Sequence, residues 1–119
     1  MSLKEALVAE RNRKQEAIEA ARRPYEEARA QLKALFHQIM ADRELRASIR
    51  GEVELLEDEL QVDPGPVLMR ATVDAAGDFH FSYEIKSPND PVIRQVEVKT
   101  IPDIEQAIAR LLVEFEDVD

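Results

Sequence analysis

Residues 24–60 read PYEEARAQLKALFHQIMADRELRASIRGEVELLEDEL, and the rest of the chain takes its meaning from this stretch. Alanine, leucine, glutamate and arginine dominate it, and all are strong helix formers. Counting Ile18 as position a of a heptad, the a positions are Ile18, Tyr25, Leu32, Ile39, Arg46, Val53 and Leu60. The d positions are Ala21, Ala28, Leu35, Asp42, Ile49 and Leu56. Only Arg46 and Asp42 interrupt an otherwise apolar stripe, a pattern sustained enough to predict a coiled-coil-like helix. Such a helix would be roughly 54 Å long at about 1.5 Å per residue, more than a small sheet can cover. The excess predicts a second chain against the seam Tyr25, Leu32, Leu35, Ile39, Ile49, Val53 and Leu56.

Upstream, residues 3–23 are also helical in propensity but thinly apolar. Leu3, Leu7 and Val8 form one patch, Ile18 and Ala21 another, and Glu10–Glu16 between them offers nothing to bury. A helix polar all round frays or finds a partner. Pro24 predicts a kink or a fresh start. Gly51 predicts a possible stop, leaving the acids Glu52, Glu54, Glu57, Asp58 and Glu59 at the unfavourable end of a helix dipole. Arg22, Arg23, Arg29 and Lys33 of an antiparallel partner are the expected relief.

Downstream, Pro64–Pro66 ends the helix and the period changes to two. Val67–Val73, Phe79–Ile85 and Val92–Lys99 alternate apolar with polar residues, and the turns Asp74–Asp78 and Ser87–Pro91 join them. These predict a three-stranded antiparallel meander with one apolar face. Ile104, Ala107, Ile108, Leu111, Leu112 and Phe115 then recur at helical spacing, and Asp103 suits the start of that helix. The expected fold is α+β: a long N-terminal helix kinked or broken near Pro24, the meander, and a C-terminal helix packed on it. In domain terms this is a helical arm over residues 1–60 and a small βββα body over residues 61–119.

Charge divides the same way. Residues 1–50 hold 11 Lys/Arg against 8 Asp/Glu, and residues 51–119 hold 5 against 17. An acidic body repels phosphate and argues against nucleic acid as the partner, although Arg22, Arg23 and Arg29 are the basic contacts such a role would use. The chain has no cysteine, which excludes disulfides and thiolate chemistry. No apolar run is long enough to span a bilayer and no signal peptide is visible, so a cytoplasmic setting is expected.

Chemistry-bearing motifs are sparse. Asp78, His80 and Ser82 share one strand face, but no nucleophile elbow or glycine-built oxyanion site accompanies them. Asp78, His80 and Glu84 make a poor metal set. The acidic tail Glu114–Asp119 lacks calcium-loop spacing. The sequence therefore predicts no catalytic, cofactor-binding or metal-binding residues. The expected function is a non-enzymatic interaction or oligomerisation module, a homodimer or higher homo-oligomer through the long helix. The alternatives are a small dimeric nucleic-acid-associated protein, or an acidic chaperone- or immunity-like protein covering a basic partner.

Overall fold

The structure, a computed structural model, describes residues 2–116; the last three residues of the acidic tail lie outside the described residues. Helix α1 spans Leu3–Ala41 and α2 spans Arg43–Ile49. Strands β1 (Glu52–Leu55), β2 (Glu59–Asp63), β3 (Val67–Val73), β4 (Phe79–Ile85) and β5 (Val92–Val96) follow, and α3 (Ile101–Glu114) closes the chain. The strands form one antiparallel meander in sequence order.

Ser2 caps α1, its hydroxyl accepting the Glu5 amide at 3.2 Å. The helix runs through Pro24 without a break, which excludes the new start that was one of the two expectations for this position. Proline removes one N–H and leaves the carbonyl four residues back without its helical donor. The neighbouring helix formers carry the helix past it. Asp42 ends α1 by turning extended, and its carboxylate accepts the Leu45 amide at 3.0 Å to cap α2. Thus the two residues that interrupt the heptad mark the end of the long helix. Asp42 is the junction, and the Arg46 guanidinium donates to the Gly51 carbonyl at 3.2 Å.

The largest correction concerns residues 52–60. Read as the acidic end of the helix, they are strand β1, a turn and the start of β2, so the sheet has five strands and not three. Val53 and Leu55, then Leu60 and Val62, alternate with polar residues, which is the period of a half-buried strand. The same apolar residues also fit a heptad, and the sheet wins because β3 offers β2 a ladder, as in Leu60 opposite Ala71. Once in strands, the acids face no helix dipole and need no basic partner.

Inward-facing rows cross all five strands: Val53–Val62–Met69–Tyr83–Arg94 and Leu55–Leu60–Ala71–Phe81–Val96. Two helices cover that face. The C-terminal half of α1 supplies Ala28, Leu32, Leu35 and Ile39 at spacings of four, three and four. Helix α3 supplies Ile104, Ala107, Ile108 and Leu111. It starts with a capping box: Thr100 caps, and Asp103, as the third helical residue, reaches back. Leu112 and Phe115 pack at the margin of this core. The third expected strand stops at Val96, short of Lys99, yet Val98 remains buried. The opposite sheet face carries Gln61, Arg70, Ser82 and Gln95 in one row and is left to solvent.

Candidate functional site

Helix α1 is covered only along part of its length. From Ala28 on it is the lid of the core, whereas Leu3–Arg23 stand away from the body with every residue exposed except the half-buried Ala6. This arm is about 32 Å long in a molecule whose longest dimension is 73 Å. Its large apolar side chains are in water: Leu3 is 87% exposed, Leu7 47%, Val8 49% and Ile18 42%. Between the two apolar ends the surface is polar. Arg13 donates to Glu10 Oε1 at 2.9 Å and Gln15 donates to Glu19 at 3.2 Å, pairs of the kind that support an isolated helix.

The arm is fixed where it leaves the body. The Tyr25 hydroxyl donates to an Asp58 carboxylate oxygen in the β1–β2 turn. That hydrogen bond, together with burial and the carboxylate charge, raises the tyrosine pKa above its ordinary value. One turn on, Arg29 Nε donates to the Glu57 carbonyl at 2.9 Å. From the other side the β3–β4 turn presses on the helix: Gly77, at φ +87°, lies so close that a Cβ there would sit 2.6 Å from the Pro24 carbonyl carbon and oxygen. Between arm and body a cleft of about 450 Å³ is lined by Ile18, Ala21, Arg22, Tyr25, Asp58, Val73 and Ala75.

The seam residues expected to meet a second chain have mostly been taken by the chain's own core. Leu32, Leu35, Ile39 and Ile49 are all buried within the body. Val53 is half-buried on the inner row of β1. Leu56 is exposed in the β1–β2 turn and Tyr25 is half-buried at the junction. An apolar stripe on a helix is the same whether a helix or a sheet covers it, and here the residues from 28 to 49 serve the sheet. Arg22 and Arg23 remain exposed on the arm, while Arg29 is tied to the β1–β2 turn of its own chain.

On the open sheet face, His80 Nε2 lies 2.7 Å from Asp74 Oδ2. The partner of the histidine is thus Asp74 in the β3–β4 turn, not Asp78 or Ser82 on its own strand. Ser82 sits opposite Arg70 and Gln95. The His80 contact and the amides of Asp78 and Ala76 hold the Asp74 carboxyl below the usual aspartate value. In structural terms this is a turn staple, since the same carboxylate accepts the Ala76 and Asp78 amides at 2.9 and 3.0 Å. Among the described residues no charged or polar side chain is buried, and no cluster of three or more His, Cys, Asp or Glu is placed to hold a metal. No helix of the described residues is long and apolar enough to cross a membrane.

The chain matches no protein family, no curated protein and no solved structure to which it was compared.

Proposed function

We propose that this protein is a non-enzymatic interaction module that self-associates through its N-terminal helical arm. One observation carries the reading: some twenty residues of well-formed helix, with apolar side chains at both ends, are held out from the body and buried by none of the described residues. A free helix of this length is marginal in water unless something packs on it. The three contacts at its root, Tyr25–Asp58, Arg29–Glu57 and Pro24 against Gly77, orient it instead of letting it fold back. In this reading the α+β body is the mount, the arm is the contact element, and the setting is cytoplasmic, in keeping with the absence of cysteine. The docking residues move from the predicted seam at 25–56 to the stretch before Pro24.

Sedimentation equilibrium of the full chain tests this. The expected result is a dimer or higher oligomer that becomes monomeric when Leu3 and Leu7 are both replaced by aspartate, with the circular dichroism of the body unchanged. A monomeric wild-type chain at micromolar concentration would refute the proposal, as would an unaltered mass in the double variant.

A further inference from the structure

Resting on that reading, we infer that the partner is a second copy of this chain lying antiparallel along the arm, with the tip of each arm seated in the cleft at the root of the other. At about 100° per residue, Leu3, Leu7, Glu10, Lys14, Ala17 and Ala21 share one face of the arm. This face complements itself when reversed. An antiparallel copy with Leu3 opposite the partner's Ala21 also sets Leu7 opposite the partner's Ala17 and Glu10 opposite the partner's Lys14, and then the same three layers repeat in reverse. Each apolar layer joins a large side chain to a small one, which lets two helices approach closely and pack without gaps. Each polar layer joins opposite charges, and Glu10 offers them its Oε2 because Arg13 takes Oε1.

The parallel alternative fails on the same residues. It would set Glu10 against Glu10, Lys14 against Lys14 and alanine against alanine, giving like charges and voids at once. It would also bring the two bodies together. Residues 24–119 hold 10 Lys/Arg and 21 Asp/Glu, against 6 and 4 in residues 1–23. The antiparallel arrangement holds those acidic bodies about 30 Å apart, several times the ~8 Å screening length at physiological salt, and lays the basic arms between them.

The register has a mechanical stop as well. With Leu3 at the level of Ala21, the partner's helix ends where the body begins. The cleft waiting there is walled by Ile18, Tyr25, Val73 and Ala75. Leu3, the most exposed large apolar side chain of the described residues, is the group that enters it.

Because the chain has no cysteine, single introduced cysteines report the arrangement cleanly. Leu7→Cys and Ala17→Cys full-length proteins are oxidised separately and as a mixture. The antiparallel pair predicts a disulfide-linked dimer in the mixture and little in either alone, since equal positions then lie about 15 Å apart along the helices. Cross-linking of each protein by itself would overturn the inference while leaving self-association standing. A monomeric wild-type chain would instead sink the proposed function beneath it. Charge exchange gives an independent check on the wild-type background. Lys14→Glu should weaken association roughly tenfold by opposing Glu10, and Glu10→Lys with Lys14→Glu should restore it. A double variant no tighter than the single one also overturns the inference.

Discussion

At Gly51 an added Cβ would collide with the Asp63 carbonyl oxygen and lie 3.0 Å from the Pro64 Cα. Both contacts are backbone, so neither can rotate away. The glycine is there because the chain must turn from α2 into β1 beneath the end of β2. The left-handed conformation at this corner belongs to the residue before it, Arg50, at φ 55°. Gly51→Ala is therefore expected to cost on the order of 2–4 kcal/mol, read as a lower urea midpoint. A loss within experimental error would mean that the corner opens freely. Sequence marks this position as a helix stop, which is right about where helix ends but wrong about the mechanism. No local pattern shows that the carbonyl of a residue twelve positions later lies overhead. The root of the arm is of the same kind. Tyr25 and Asp58 are ordinary residues in sequence, and only the fold brings them together across 33 positions.

Helix α1 is one element with two environments. Its C-terminal half belongs to the core, so disruption there should not behave like disruption of an interface. Leu35→Asp or Ile39→Asp places a charge inside the buried apolar core, and should unfold the body, with loss of cooperative thermal unfolding. The milder Leu32→Ala is expected to cost about 2–5 kcal/mol with the fold kept. A folded but dissociated Leu35→Asp protein would return the oligomer seam to this half of the helix. Residues 3–41 and 101–114 were legible as helical because composition and period agree, whereas the caps that start the two helices, Ser2 and Thr100, are seen only in the fold. The strands β3 to β5 were legible for the same reason. Strand β1 and the start of β2 were not, because Val53, Leu56 and Leu60 satisfy a seven-residue repeat and Val53, Leu55, Leu60 and Val62 a two-residue one. Local periodicity has no term for which neighbour is available, and β3 was that neighbour.

For the molecule as a whole, the separation of a basic arm from an acidic body shapes what it can assemble into. If the arms pair in reverse, two molecules of 73 Å overlap by about 30 Å, and the assembly is a rod of roughly 115 Å. Small-angle scattering of the dimer should give a maximum dimension near that value. One close to the monomer length would mean that the bodies sit side by side. Legible without the fold were the α+β class, the long helix at the start, the amphipathic helix at the end, strands β3 to β5 of the five-stranded sheet and the uneven charge. Each is written in residue type and spacing along a short window, and so needs no knowledge of distant neighbours. Strands β1 and β2, and the way the apolar stripe of the long helix is shared, follow from the fold. From Ala28 onward the five-stranded sheet covers it, and before Pro24 it borders at most an open cleft and is buried by none of the described residues. A heptad records how much apolar surface a helix must bury, but the partner that buries it is set by contacts between residues far apart in the chain.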